Sequence, residues 1–161
     1  MRNRYVGRSF IQPDQALRQH GIRLKFNPLP AVIRGTRLVV VDDSIVRGNT
    51  TRQIVAMLLD AGATEVHMRV SSPPILWPCF YGIDMADRSE LVAANNTVEE
   101  IAALTGARSL AYLSREGLQR ALGRPASSFC RACFTGEYPI AIPDSSLKMR
   151  FEPGSREPAR A

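Results

Sequence analysis

The sequence lacks several things, and each absence narrows what it can be. No stretch of its 161 residues approaches the run of about 18 apolar residues that a membrane-spanning helix needs, so none is expected. The charged start Met1-Arg2-Asn3-Arg4 leads into no apolar signal segment. Three cysteines are too few for a disulfide scaffold, and the number is odd. Neither a Walker loop with Gly-Lys-Ser/Thr nor a Gly-x-Gly-x-x-Gly dinucleotide loop occurs, and no internal repeat or low-complexity tract is visible. What remains, at 45% hydrophobic and 22% charged residues, is an ordinary globular composition with the length of one domain. Such a chain can bury a core without disulfides, and a cytoplasmic, single-domain protein is the expectation.

Lysine is also scarce, at two residues, so the net charge of +6 is carried by arginine. That charge is uneven. Residues 1–37 hold Arg2, Arg4, Arg8, Arg18, Arg23, Lys25, Arg34 and Arg37 against the single acid Asp14. A basic end suits an anionic partner, either nucleic acid or a phosphorylated small molecule, or it is simply a solvated surface. No helix-turn-helix, zinc-finger or RNA-binding signature accompanies it, so nucleic acid is not expected.

Periodicity organises the rest. Residues 1–36, with Pro13, Pro28 and Pro30, read as a long loop with a short helix near Pro13–His20. Leu38-Val39-Val40-Val41 is the continuous β-branched run of a strand buried on both faces. Thr50 or Thr51 then caps a helix carrying Ile54, Val55, Leu58, Leu59 and Ala61, closed by Gly62. Val66, Met68 and Val70 alternate as a second strand. A proline-rich loop with Pro73, Pro74, Pro78 and Cys79 follows. Thr97 and Glu100 make a capping box for a helix to about Leu104. Ser109–Leu113 is a third strand, and Ser114 caps a last helix to about Leu122. The chain beyond Gly123 is expected to be irregular, apart from the segment around Phe129–Pro139. Strand–helix–strand–helix–strand–helix predicts an α/β fold, a parallel sheet flanked by helices, with ligands at the carboxyl ends of its strands.

One such end is the segment Val41-Asp42-Asp43-Ser44-Ile45-Val46-Arg47-Gly48-Asn49-Thr50. Two adjacent carboxylates at the mouth of a buried strand need a cation or hydrogen-bond donors, and sugar hydroxyls, a divalent metal or both would serve. The small and hydroxylated residues behind them lead into a helix, whose N–H groups and positive end suit a phosphate. One loop thus offers a carboxylate end for a ribose and a dipolar cradle for its phosphate. The plainer alternative makes Asp42 a turn residue and Ser44 or Thr50 a helix cap.

This segment resembles the phosphoribosyl pyrophosphate (PRPP) loop of the type I phosphoribosyltransferases. Together with Arg2–Ile11, Ser71-Ser72-Pro73-Pro74, Pro78-Cys79-Phe80-Tyr81-Gly82-Ile83-Asp84 and Phe134-Thr135-Gly136 beside Cys130 and Cys133, it is similar to the glutamine PRPP amidotransferases over residues 2 to about 140. The resemblance implies a partial type I phosphoribosyltransferase fold over residues 1–123, of which 1–36 are a flexible basic loop region, and a C-terminal tail with C-x-x-C over 124–161. It implies the first step of de novo purine synthesis, in which ammonia from glutamine displaces pyrophosphate from C1 of PRPP. In the family, residues matching Asp42 and Asp43 are catalytic and hold the ribose hydroxyls and Mg²⁺. Ser44, Ile45, Val46, Arg47, Gly48, Asn49 and Thr50 match the residues around the 5′-phosphate, and Arg2, Arg4 and Arg8 match a loop that closes over pyrophosphate. The implied partners are PRPP and purine nucleotides, in a homo-oligomeric family with no nucleic acid and no membrane.

Cys130-Arg131-Ala132-Cys133 alone could be half a zinc site, a redox pair or two unconnected thiols, and a lone Cys79 is commonly a buried structural thiol. The resemblance implies that Cys79, Cys130 and Cys133 match three ligands of a [4Fe–4S] cluster, which ordinarily takes four thiolates. That requires the tail to fold back across the carboxyl-end loops and bring Cys79 beside the C-x-x-C pair. The family's glutaminase domain, the first part of its phosphoribosyltransferase domain and the fourth cluster ligand have no counterpart in these residues. The expectation is therefore a C-terminal segment that acts with the missing N-terminal portion and has no glutaminase activity of its own. The other readings are a non-catalytic PRPP or nucleotide sensor and another type I phosphoribosyltransferase.

Overall fold

The computed structural model describes residues 26–83, 85 and 87–142; the helix expected near Pro13–His20, Arg2, Arg4, Arg8 and the last 19 residues lie outside the described residues. Three strands form the sheet: β1 (Arg37–Asp42), β2 (Glu65–Val70) and β3 (Ser109–Tyr112). They pair in parallel in the order β1-β2-β3. Asp42 lies opposite Val70, and Val70 opposite Tyr112, so the three carboxyl ends form one rim.

Six helices punctuate the described chain. A single turn, α1 (Pro30–Ile33), begins with proline at its first position, where the missing N–H costs nothing. It falls in the stretch read from sequence as loop. The long α2 (Asn49–Asp60) joins β1 to β2. A one-turn α3 (Val92–Asn95) and α4 (Val98–Thr105) join β2 to β3. The expected capping box opens α4: Glu100 N–H donates to Thr97 Oγ1 at 3.2 Å, and Thr97 N–H to Glu100 Oε2 at 2.7 Å. Ser114 caps α5 (Arg115–Leu122) through a 2.9 Å bond from Gly117 N–H. A final turn, α6 (Ala132–Thr135), lies in the tail. Short 3₁₀ turns at Arg88–Glu90 and Ala126–Ser128 had no periodic signal to announce them.

The core forms on one face of the sheet. Val66, Met68 and Val70 of β2 and Leu110 of β3 meet Val55 of α2 and Ile101 of α4, with Leu38 and Val40 of β1 packed alongside. The expectation that β1 is buried on both faces is corrected: Val39 and Val41 are 65% and 72% exposed. An apolar run fits cover on both sides, but the outward pair Val39 and Val41 is left largely exposed.

A second, smaller cluster lies beyond the rim. Ile75, Met85 and Leu91 are buried there, with Val46, Cys79, Ala94, Cys133 and Phe134 packed around them. The tail closes it. Leu76 and Trp77 N–H donate to the Cys133 carbonyl at 2.9 and 3.1 Å, and Tyr138 Oη donates to the Pro78 carbonyl at 2.8 Å. Gly136, at φ +81°, sits so close to Trp77 that a Cβ there would lie 2.8 Å from the indole. Only glycine fits both that backbone and that approach. Among the described residues no helix is long and apolar enough to cross a membrane.

Candidate functional site

The last residue of β1 is Asp42, and the chain turns there because β1 hands its backbone bonds to short polar groups. Asp43 N–H donates to Asp42 Oδ1 at 3.0 Å, and Ser44 N–H donates to Asp43 Oδ1 at 2.7 Å. These are the local side-chain to backbone bonds that Asp forms readily at turns. Just beyond β2, the Ser71 N–H and hydroxyl donate to the Asp42 carbonyl at 2.9 and 3.1 Å, tying two strand ends together at the first acid. Burial pushes the Asp42 carboxyl above its ordinary range; the Asp43 N–H bond opposes the shift and the Asp43 charge adds to it. A carboxylate held in a half-buried place beside a second acid is short of positive charge.

Two apolar residues fix the loop. Ile45 is 2% exposed and inserts into the main core, while Val46 packs on the second cluster. The Val46 carbonyl accepts from Val92 N–H at 2.9 Å. Of the seven residues Ser44–Thr50, Ile45 therefore turns its side chain away from solvent and can offer a ligand its backbone alone. Arg47 is engaged by Glu90, with Nε donating to Oε2 at 2.8 Å and a terminal nitrogen to the same oxygen.

The helix start differs from expectation. Gly48, not Thr50 or Thr51, stands at the N-cap of α2, at φ +79° and with no side-chain cap. A left-handed residue turns the chain sharply into the helix, a conformation that β-branched threonine resists. The first N–H groups of α2 are left without a capping side chain, next to the exposed Asn49 and Thr50. Uncapped N–H groups at the positive end of a 12-residue helix form an anion cradle. Two chemically opposite halves thus lie within nine residues: acids at the strand end and amide donors at the helix start.

Glu90, Val92 and the Ser71 clasp on Asp42 were not identified as loop supports from the sequence. Glu90 and Val92 lie more than 40 positions from the groups they hold and share no local pattern with them. Arg2, Arg4 and Arg8 lie outside the described residues.

The tail does fold back onto the loops at the rim, and Cys79 and Cys133 pack on the same cluster. Burial raises the Cys133 thiol, and Cys79 and Cys130 raise it further. None of the three cysteines is in a disulfide, and Cys130 is exposed. Yet among the described residues no three His, Cys, Asp or Glu side chains converge to hold a metal ion. The iron–sulfur expectation therefore gains no support from the geometry.

No protein-family model matches the chain. Individual proteins do. It is 59% identical over 151 residues to an amidophosphoribosyltransferase of Synechocystis, covering 94% of this chain and 30% of that protein. A Bacillus subtilis amidophosphoribosyltransferase is 55% identical over 146 residues, covering 88% and 31%. Among solved structures, glutamine PRPP amidotransferase from B. subtilis in complex with ADP and GMP aligns with a TM-score of 0.72 at 55% identity, over 86% of this chain and 31% of that one. A structure described as the allosteric regulatory enzyme of purine biosynthesis aligns at 0.74 and 53% identity, over 88% and 31%. In sequence and fold the chain corresponds to a segment of these proteins and spans about 30% of their length. Its three-stranded parallel sheet with flanking helices is part of a type I phosphoribosyltransferase fold.

Proposed function

We propose that this chain is the PRPP-binding segment of an amidophosphoribosyltransferase, the pentosyltransferase that makes 5-phosphoribosylamine, pyrophosphate and glutamate from PRPP and glutamine in purine biosynthesis. The observation that carries this reading is the Asp42–Thr50 loop, with two acids at a strand end and an uncapped helix start at Gly48. In this reading Asp42 and Asp43 accept hydrogen bonds from the ribose hydroxyls and face the Mg²⁺ that accompanies pyrophosphate. Magnesium ordinarily takes only one or two protein carboxylates and completes its shell with phosphate and water, so the pair suffices. The backbone and hydroxyls of Ser44–Thr50 take the 5′-phosphate, and Arg2, Arg4 and Arg8 meet the pyrophosphate.

Displacement at C1 passes through an oxocarbenium-like state, so catalysis rests on positioning and charge rather than on a protein nucleophile. The rigid seat of Ile45 and Val46 serves that positioning, because a loop anchored in two cores cannot drift under the sugar. Purine nucleoside 5′-monophosphates present the same ribose phosphate and belong in the same cradle. We also assign residues 1–123 to the phosphoribosyltransferase part and 124–161 to the tail. Iron–sulfur ligation by Cys79, Cys130 and Cys133 is supported by the family likeness alone; anaerobic reconstitution, read as iron per chain, tests it. Bound PRPP, measured by titration calorimetry with Mg²⁺, tests the main reading. The Asp42→Asn/Asp43→Asn double variant should bind at least about tenfold more weakly, the loss of one or two charged hydrogen bonds. Equal affinity would remove the ribose assignment.

A further inference from the structure

The loop from Asp42 to Thr50 contains one cationic side chain, Arg47, and it is already engaged. Arg47 immediately precedes Gly48, where the uncapped start of α2 opens. Its Nε and one terminal nitrogen both donate to Glu90 Oε2, the first at 2.8 Å. Both bonds fall on one oxygen, unlike the fork in which each carboxylate oxygen takes its own donor. Glu90 is presented by a fixed turn. Asp87 accepts from Ser89 N–H at 2.8 Å, the Arg88 guanidinium lies 3.9 Å over the Trp77 ring, and Leu91 is fully buried. The pair itself is the loop's loosest anchor. Its side chains are 33% and 49% exposed, and an ion pair so exposed is worth about 0–1 kcal/mol. The backbone is held without it, by Ile45 in the core and by the bond from Val92 N–H to the Val46 carbonyl.

We propose that Glu90 is a specificity-determining residue of this site: it holds Arg47 in an exchangeable pair and so lowers the loop's affinity for a bare phosphate dianion. With its one cation neutralised, the empty loop meets phosphate through neutral backbone donors alone. Firm binding then requires the ribose and Mg²⁺ at Asp42 and Asp43 as well. The ligands selected against are free phosphate and simple phosphate monoesters, which share the 5′-phosphate of PRPP and lack its diphosphate. Such a group carries a charge of about −1.5 to −2 at neutral pH, so a free guanidinium beside the cradle would favour it strongly. Discrimination is a difference of affinities, and weakening the common part of two ligands raises the weight of the part that differs. This inference rests on the family reading above and extends it to what the site rejects.

The test is a phosphorus NMR titration of the full 161-residue chain with inorganic phosphate and with ribose 5-phosphate, at neutral pH and without magnesium. Glu90→Gln should bind both about threefold more tightly, the scale of one half-exposed charge pair, and the gain should fade as salt is raised. Glu90→Ala removes the same charge and should reproduce the gain. A residue that merely props the loop predicts the opposite sign, because its removal loosens the cradle. The gain should disappear in the Arg47→Gln background, where Glu90 has no cation to hold. Circular dichroism checks that the variants remain folded. Weaker or unchanged phosphate binding in both Glu90 variants overturns the proposal. So does a gain that persists without Arg47, or a parent chain that binds neither phosphate. The family reading is tested separately, by PRPP with Mg²⁺ and the Asp42→Asn/Asp43→Asn variant. If that variant keeps its PRPP affinity while Glu90→Gln still tightens phosphate, the ribose assignment falls and the role of Glu90 stands.

Discussion

The acid loop and the cysteine cluster lie on the same rim, and the sequence marks both for chemistry, yet they are built differently. The loop from Asp42 to Thr50 is pinned at four points: the Ser71 clasp, Ile45 in the main core, the Val46–Val92 bond and the Arg47–Glu90 pair. Its polar groups nevertheless remain short of partners, with a carboxyl raised by burial and a helix start without a cap. The cysteine region is the reverse. Its backbone is well bonded and its aromatics are in contact, Phe80 and Tyr138 lying edge to face at 5.2 Å, but among the described residues its thiols form no metal-holding group of three. A site waiting for a ligand is recognised by unmet charge on a fixed frame, not by the presence of reactive side chains.

Leu91 offers the most forceful way to break this contrast. It is fully buried at the centre of the second cluster, where Val46 of the loop and Cys133 of the tail both pack. Leu91→Ala should cost about 2–5 kcal/mol, as buried leucine truncations do. Because one cavity undermines both regions, PRPP binding and the protection of Cys133 from alkylation should fall together. Loss of one without the other would show that the two regions are independent.

Gly136→Ala separates them. Its new methyl meets Trp77 at 2.8 Å on a backbone of φ +81°, so either the indole or the tail must move. A cost of about 1–3 kcal/mol is expected, concentrated in the tail. Cys133 should then react faster with iodoacetamide, while loop affinity changes less than threefold. In the parent chain the exposed Cys130 should be alkylated before Cys133, whose thiol burial holds above its ordinary range, and the gap should narrow as pH rises. Mass spectrometry of the labelled peptides reads both effects, and equal rates at Cys130 and Cys133 in the parent would contradict the burial.

The same contrast explains what could be read beforehand. Caps, strand periods and the Asp-Asp loop were legible because each depends on neighbours a few residues away, as the Thr97–Glu100 box does. Cover for β1 was not, because an apolar run such as Val39–Val41 states that a strand is fit for burial, not whether anything buries it. The start of α2 at Gly48 was missed for a local reason: a glycine at positive φ outranks two later threonines as the turn into a helix. The supports of the loop were invisible since Glu90 and Val92 act across more than 40 residues. The nearness of Cys79 and Cys133 was legible only through the family resemblance, because two thiols so far apart in sequence share no local pattern.

The smallest effect sharpens the comparison most. If Asp42 is shaped for a ligand, its charge should be a burden to the unliganded fold. Burial, with help from Asp43, raises its pKa above the ordinary value of 3.8, so the folded chain holds that proton more tightly than the unfolded chain does. The stabilising contribution of the protonated carboxyl is complete below 3.8 and is lost as pH rises through the higher folded value. At neutral pH the carboxylate therefore lowers stability slightly. Asp42→Asn keeps an oxygen for the Asp43 N–H and removes the charge, so at pH 7 its stability should exceed the parent's by about 0.5 kcal/mol, read as a higher melting temperature. That advantage should shrink as pH falls toward 3.8, while binding of PRPP with Mg²⁺ at pH 7 weakens. Stability and affinity moving in opposite directions is the signature of a residue kept for its ligand. A variant that melts lower than the parent at pH 7 would instead make Asp42 part of the frame, and the distinction between frame and site would have to be drawn one residue later, at Asp43.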